Sequence, residues 1–305
     1  MQPCRLGQRA DGFERQIHRH LAAQKLEQNA HALRATHPVG VVGAREIAAD
    51  IADVDAISGV IAKSGAEVIV HAAGLTNVDE CERNPREARR LHAEGTRNVA
   101  VAAEQTGAKL VYMSTDHLWD GTRAMVTEDT PPYPINVYAR TKLEGETIAL
   151  QAKTRTLSVR TNFFGAGRPW RKSFSDWIID RLRDGAALNM FADAYFTPIA
   201  LNHLIRFLVE LVEMDACGPI NVAGGERLSK FDFAVMLANA AGFSENNIRR
   251  ASISGFGLAA PRPRDMSLDT SRVASLLGRP MPRAADGIAT LFDDSEPGAR
   301  SLGRS

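Results

Sequence analysis

Apolar residues in this chain follow two different periods, and segments of the two kinds alternate. Residues 54–61 carry an apolar stripe at helical spacing, and Asp53 precedes them as an N-cap. Residues 68–70, Val-Ile-Val, are a continuous run of β-branched side chains, which is typical of a parallel strand buried on both faces. A helix followed by a buried strand is the unit from which α/β folds are built.

The same alternation continues along the chain. A long helical pattern runs from about 79 to 105, and Pro85 permits a break near its start. Further strands are predicted at 109–113 and 157–160, and further helices around Tyr138 and near 173–183, 201–213 and 229–240. This order predicts an α/β fold with a doubly wound, Rossmann-like parallel sheet.

Composition and charge exclude several classes of protein. With 305 residues and a formal net charge of +1, the chain has no basic excess, so we expect no nucleic-acid partner. No apolar run approaches the roughly 20 residues that a membrane span needs. Cys4, Cys81 and Cys217 lack metal-ligand spacing, and their odd number suits a reducing compartment. We therefore predict no metal site, no membrane association and a cytoplasmic location, since the first residues also lack a secretory signal.

Tyr138 and Lys142 are the most informative pair of polar residues. Four residues apart, they share one face of a helix. An ammonium near the phenol favours the phenolate, so we expect the pKa of Tyr138 to be lowered from its ordinary value of about 10. That change would make Tyr138 usable in acid/base chemistry near neutral pH, as in nicotinamide-dependent carbonyl reduction.

A hydroxyl-bearing segment precedes this pair. Ser114-Thr115-Asp116 directly follows the strand at 109–113. Parallel sheets place ligand-binding residues just beyond the carboxyl ends of their strands, so a hydroxyl here can bind the substrate oxygen that Tyr138 protonates. The alternative is ordinary turn or capping chemistry, which Ser, Thr and Asp all favour.

Several motifs resemble the dTDP-4-dehydrorhamnose reductase family of the extended short-chain dehydrogenase/reductases. They are Ser114-Thr115-Asp116, Asp120-Gly121-Thr122, Pro134-Ile135-Asn136-Val137-Tyr138 and Thr141-Lys142-Leu143-Glu144-Gly145-Glu146, within a resemblance that covers roughly 45–292. The resemblance implies reduction of a nucleotide-linked 4-keto-sugar, most closely dTDP-4-dehydrorhamnose, by a reduced nicotinamide. Tyr138 would donate the proton, Lys142 would tune the tyrosine and hold the nicotinamide ribose, and Thr115 would position the carbonyl oxygen.

The resemblance also implies a division of the chain and a cofactor site. We expect a dinucleotide-binding domain at 1–163, a smaller, mainly substrate-binding region at 164–292 with segments that return to the sheet, and a disordered tail at 293–305. The implied cofactor contacts are Gly12, Asp50, Ile51, Ala72, Ala73, Gly74, Ser114, Tyr138 and Lys142. Residues 33–37 contain Arg34 and no acid, which favours NADP(H) over NAD(H), unless Arg34 is only a solvated charge.

The N-terminus departs from the family pattern. A dinucleotide-binding turn should read Gly-x-x-Gly-x-x-Gly, but the three positions fall on Gly12, Arg15 and His18. Three explanations stay open: the cofactor site is lost, the turn is rebuilt around charged side chains, or the first 30 or so residues are a corrupted or mis-started reading of the gene.

The substrate side differs from the family in detail. Asp116 and His117 are candidate substrate contacts, and His117 stands where the family commonly has Tyr. Arg262 and Arg264 are candidates for a nucleotide-sugar diphosphate because the arginine fork matches phosphate oxygens, or else they are surface charges in a proline-containing loop. His92 occupies a position where the family usually has Asn.

Two other functions remain open at this point. One is a nucleotide-sugar epimerase or dehydratase with tightly bound NAD. The other is a non-catalytic regulatory subunit with a reductase fold, for which the altered glycine turn is the main support. The sequence also allows a homodimer.

Overall fold

The computed structural model describes residues 47–167 and 172–292. The glycine turn with Gly12, the segment around Arg34 and the tail at 293–305 lie outside the described residues.

The described strands are short and mostly buried. They are β1 (Val68–His71), β2 (Lys109–Met113), β3 (Thr156–Arg160), β4 (Phe163–Phe164), β5 (Leu188–Phe191), β6 (Tyr195–Phe196), β7 (Ile199–Ala200), β8 (Gly218–Asn221), β9 (Leu228–Ser229) and β10 (Ile248–Ala251).

The helices alternate with these strands. They are α1 (Val54–Ser64), α2 (Val78–Arg83), α3 (Pro85–Arg89), a π-helical segment (Arg90–Glu94), α4 (Gly95–Thr106), α5 (Val137–Gln151), α6 (Phe174–Arg183), α7 (Leu201–Glu213), α8 (Lys230–Ala241), α9 (Ser271–Leu277) and α10 (Ala284–Thr290), with 3₁₀ turns at Glu245–Asn247 and Ile253–Gly255.

Within the described residues, the main sheet has the strand order β1-β2-β3-β8, and every pair in it is parallel. The predicted α/β fold with a parallel sheet is confirmed. Strand β8 escapes sequence reasoning because Gly218 and Pro219, which begin it, are unfavourable in strand interiors. Its remaining residues are buried, and Ile220 pairs with Val159 of β3.

The long helix predicted from about 79 to 105 is divided in the structure. Pro85 begins α3 after Asn84, as its missing N–H allows at a first helical turn. The second interruption is the π-helical segment, with His92 at its centre. π-helical turns are rare and occur frequently at functional sites.

The two largest clusters of buried apolar residues lie in different parts of the fold. One surrounds the sheet, where Val111, Leu157 and Ile220 pack with residues of α7. The other lies in the C-terminal half around Phe233, which contacts the rings of Phe164 and Phe196.

Gly145 fixes the distance between α5 and the π-helical segment. A Cβ at this position would overlap the carbonyl oxygen of His92 and would lie 2.6 Å from the hydroxyl of Tyr112. We expect Gly145→Ala to lower the free energy of unfolding by about 1–3 kcal/mol, because overpacking a fixed contact forces the backbone to move. Urea denaturation measures the change.

Gly59 in α1 supplies a matched control, since a Cβ there would meet nothing within 4 Å. Gly59→Ala should be neutral or stabilising by about 0.5–1 kcal/mol, as expected for a helix interior. Equal effects of the two substitutions would contradict the close approach at Gly145.

Candidate active site

The carboxyl end of β2 delivers a buried polar segment. Ser114, Thr115 and Asp116 are each less than 9% exposed. The hydroxyl of Thr115 interacts with the phenol of Tyr138, and its oxygen accepts the backbone N–H of His117 at 3.3 Å. The structure thus brings together Thr115 and Tyr138, the two groups that sequence reasoning assigns to one substrate oxygen.

Helix α5 sets the position of Tyr138 and Lys142. Asn136 is its N-cap, and its side-chain oxygen accepts the N–H of Ala139 at 2.8 Å. Tyr138 then lies in the first turn and Lys142 in the second. The Nζ of Lys142 donates to the carbonyl oxygen of Met113 at 2.7 Å, so the helix is tied to the end of β2.

The electrostatics of this pair differ from the expectation. Burial raises the pKa of Tyr138 above its ordinary value, and the hydrogen bond from Thr115 opposes this only in part. Burial lowers the pKa of Lys142 to about 7. The predicted lowering of the pKa of Tyr138 is therefore wrong, because desolvation of the phenolate is the largest influence and the nearby Asp116 raises the pKa further.

His92 connects the loop after β1 to α5. Its Nε2 lies 2.8 Å from the carbonyl oxygen of Leu75, and its Nδ1 lies 2.7 Å from the hydroxyl of Thr141. Burial lowers the pKa of His92 to about 3, so the ring is neutral. A carbonyl can only accept, so Nε2 carries the proton and Thr141 donates to Nδ1. The ring also packs edge-on to Tyr138 at 5.7 Å between centroids.

The predicted cofactor residues occupy the edge near β1. Asp50 pairs with Arg90 of the π-helical segment at 2.9 Å, and the carbonyl of Ile51 accepts the side-chain amide of Asn98 at 3.0 Å. Ala72, Ala73 and Gly74 follow β1. The structure thus places Asp50 and Ile51 on the surface formed by the π-helical segment and α4.

Two observations test whether this edge fits a dinucleotide. A Cβ on Gly74 would lie 2.8 Å from Cδ2 of His92, so the loop has no room for a side chain there. The buried hydroxyl of Ser114 has no hydrogen-bond partner within 47–167 and 172–292. A close backbone surface and an unpartnered donor at the strand ends fit a bound dinucleotide. Gly12 lies outside the described residues.

Asp116 and His117 lie on the other side of Tyr138. A carboxylate oxygen of Asp116 accepts the amide of Asn162 at 2.6 Å, and burial raises the pKa of Asp116 to about 6. The ring of His117 lies edge-on to Tyr138 at 5.4 Å, and burial lowers its pKa to about 3. A neutral imidazole and a buried carboxyl group therefore lie beside Tyr138.

The two predicted diphosphate ligands are held differently. Arg262 is paired with Asp79 of α2 at 2.9 Å, and only 16% of its side chain is exposed. Arg264 is exposed and donates to the hydroxyl of Ser254 at 2.5 Å. A phosphate at Arg262 would have to share the guanidinium with Asp79.

Sequence reasoning missed two polar residues of this cleft. Asn162 follows β3, and the rule that ligand-binding residues follow strand ends could have found it. Lys230 begins α8 after the N-cap Ser229, and its charge acts on both Asp116 and His117. Nothing in the local sequence distinguishes Lys230 from a solvated lysine.

The described residues contain neither a membrane-spanning helix nor a cluster of metal ligands. None of their helices has the length and apolar character needed to cross a membrane. Nor do 47–167 and 172–292 contain a group of three or more His, Cys, Asp or Glu side chains arranged to hold a metal ion.

Comparisons with known proteins agree with the site. The family model described as RmlD substrate binding domain matches residues 11–296. A dTDP-4-dehydrorhamnose reductase of Mycolicibacterium smegmatis is 30% identical, covering 74% of this chain and 69% of the relative. The methionine adenosyltransferase 2 subunit beta of Bos taurus is 28% identical, covering 74% of this chain and 70% of the relative.

A solved structure gives the same result. The dTDP-4-dehydrorhamnose reductase of Bacillus anthracis, in complex with NADP, superposes with a TM-score of 0.75 at 29% identity, covering 79% of this chain and 85% of that one. The chain belongs to the RmlD substrate binding domain family, and its assignment from sequence to the reductases of this type is confirmed.

Proposed function

We propose that this protein uses NAD(P)H to reduce the ketone of a nucleotide-linked 4-keto-sugar, with dTDP-4-dehydrorhamnose as the favoured substrate. The observation that carries the proposal is that the hydroxyl of Thr115 interacts with the phenol of Tyr138, with Lys142 one turn further along the same helix. The reductase relatives add support for the substrate class.

The protonation state of Tyr138 suits a reduction. Because burial holds its pKa above the ordinary value, the phenol keeps its proton at neutral pH. When bound, reduced nicotinamide supplies the hydride. Tyr138 gives its proton to the oxygen that develops negative charge, and Thr115 donates a hydrogen bond to the same oxygen. Lys142 lies one turn further along the helix and donates a hydrogen bond to Met113, and its pKa of about 7 leaves it partly protonated at neutral pH.

The cofactor is held, in this proposal, by the loop at 72–74, by Ser114 and by Lys142. A preference for NADP(H) over NAD(H) is favoured by Arg34 and by the NADP-bound relative. An acidic residue that could hold a ribose 2′-hydroxyl is missing from the sequence at 33–37.

The test is a direct assay with the full chain. We expect loss of NADPH absorbance on addition of dTDP-4-dehydrorhamnose, with one reduced sugar formed for each NADPH consumed. Cofactor binding is measured first by calorimetry with NADPH and NADH. Binding without turnover of any 4-keto-sugar would contradict the reductase proposal.

Two alternatives have distinct outcomes in the same assay. A nucleotide-sugar epimerase or dehydratase would convert its substrate without net consumption of NADPH. A regulatory subunit would show no turnover, and the relative named as a subunit of methionine adenosyltransferase 2 keeps this alternative open. The Thr115–Tyr138 contact favours catalysis over the regulatory alternative.

The division at residue 163, the cytoplasmic location and the homodimer stay predictions. Size-exclusion chromatography with light scattering tests the homodimer.

A further inference from the structure

Lys230 presents a positive charge inside the candidate active site. Its Nζ lies 3.3 Å from the ring centroid of Phe196 and 5.2 Å from that of Phe174. Both contacts are cation–π interactions, which hold the ammonium in place without using its hydrogen-bond donors.

Within the parts of the chain that the structure describes, no hydrogen bond or direct ion pair links Nζ of Lys230 to another residue. Burial lowers the pKa of Lys230 to about 8, and Asp116 opposes this shift. The two charges therefore act on each other without a direct ion pair.

The chemistry of Asp116 and Lys230 limits which ligand group could bind both side chains. Asp116 keeps one oxygen on the amide of Asn162 and has further acceptor capacity. A phosphate beside this carboxylate would meet like-charge repulsion. A hydroxyl group can donate to Asp116 and accept from Lys230 at once, so a neutral polyol fits the pair where a dianion does not.

The position of the pair points to the sugar. Asp116 follows Thr115 directly, and the hydroxyl of Thr115 interacts with the phenol of Tyr138. A hydroxyl held between Asp116 and Lys230 would therefore belong to a ring carbon near the ketone that Tyr138 protonates.

We propose that Lys230 is a specificity-determining residue that, together with Asp116, binds a ring hydroxyl of the sugar. The proposal rests on the proposed function, because it assigns the sugar end of the same substrate. The ammonium donates to the hydroxyl oxygen, and the hydroxyl donates to the carboxylate. Asn162 orients the carboxylate by its hydrogen bond.

The experiment compares Lys230→Met with the unaltered protein on matched ligands. Calorimetry measures the binding of dTDP-rhamnose and of its 2-deoxy and 3-deoxy forms, with NADP present. For one deoxy position we expect the unaltered protein to bind the hydroxylated sugar about 10–100-fold more tightly, as for loss of a charge-assisted hydrogen bond. In Lys230→Met this preference should fall to about threefold or less.

Two controls separate this role from a structural one. Lys153→Met removes an exposed lysine and should leave the preference unchanged. Circular dichroism and thermal melting show that Lys230→Met keeps its fold before the affinities are compared, because removing one partner of a charge pair destabilises a protein. Lys230→Arg keeps the charge and should retain part of the preference.

The possible results distinguish an error in the role of Lys230 from an error in the proposed reductase activity. An unchanged preference in Lys230→Met overturns the assignment of Lys230, even if the unaltered protein is an active reductase. Equal binding of hydroxylated and deoxy sugars by the unaltered protein also overturns it. Failure of the proposed reductase would appear separately, as binding without consumption of NADPH.

Discussion

Tyr138→Phe is expected to lower kcat for 4-keto-sugar reduction by about 100- to 10,000-fold, the usual contribution of a positioned general acid. The change removes only the phenolic hydroxyl and its interaction with Thr115. The ring keeps its edge-on contacts with His92 and His117, at 5.7 and 5.4 Å. The fold should therefore survive while the acid is lost.

Tyr133 supplies a matched control, since it is a tyrosine close in sequence that is 70% exposed. Tyr133→Phe should leave kcat unchanged, and circular dichroism should be the same for both variants. Calorimetry should give similar NADPH affinities for Tyr138→Phe and the unaltered protein. Near-normal turnover by Tyr138→Phe would mean that another group supplies the proton.

Strands β1, β2 and β3 of the main sheet and helix α5 could be predicted because their sequence signals are local. The β-branched run at 68–70 and the apolar run at 109–113 appear in the structure as β1 and β2. The hydroxyl segment after β2 could be placed because parallel strands end at one edge. The family resemblance predicted that this segment acts together with Tyr138, and the structure places Thr115 beside that tyrosine.

Other features depend on contacts that a sequence does not show. Strand β8 is specified by its pairing with β3, since Gly218 and Pro219 have no strand preference of their own. The pKa of Tyr138 depends on how deeply its ring is buried, so its spacing from Lys142 gave the wrong direction. Lys230 acts on Asp116 from more than 100 positions away in sequence, and only the fold brings them together.

Stability should fall steeply in acid because the site buries three neutral histidines. Burial lowers the pKa of His71, His92 and His117 to about 3 each, against an ordinary value of 6.5. Below pH 6.5 the unfolded chain therefore binds protons that the folded chain does not, and stability is lost as pH falls towards 3. Each such proton contributes about 1.4 kcal/mol per pH unit.

One buried group acts in the opposite direction. Burial raises the pKa of Asp116 from 3.8 to about 6, so between these values the folded chain binds a proton that the unfolded chain lacks. Between pH 3.8 and 6, the unfolded chain holds about three extra protons on the histidines, and the folded chain holds one extra proton on Asp116. The net difference is about two protons, so the free energy of unfolding changes by about 3 kcal/mol per pH unit. A total stability of about 5–15 kcal/mol would be exhausted within a few pH units.

Urea denaturation at a series of pH values from 8 to 4 measures this slope, and His117→Phe identifies its origin. Nδ1 of His117 has no hydrogen-bond partner among the described residues, and Nε2 is 3.9 Å from Asp116, so the substitution removes a titrating group without removing a hydrogen bond. The slope below pH 6 should fall by about 1.4 kcal/mol per pH unit, while stability at pH 8 changes little. A wild-type stability that stays flat between pH 7 and 5 would mean that these histidines gain protons in the folded protein, and the buried neutral cluster around Tyr138 would then be wrong.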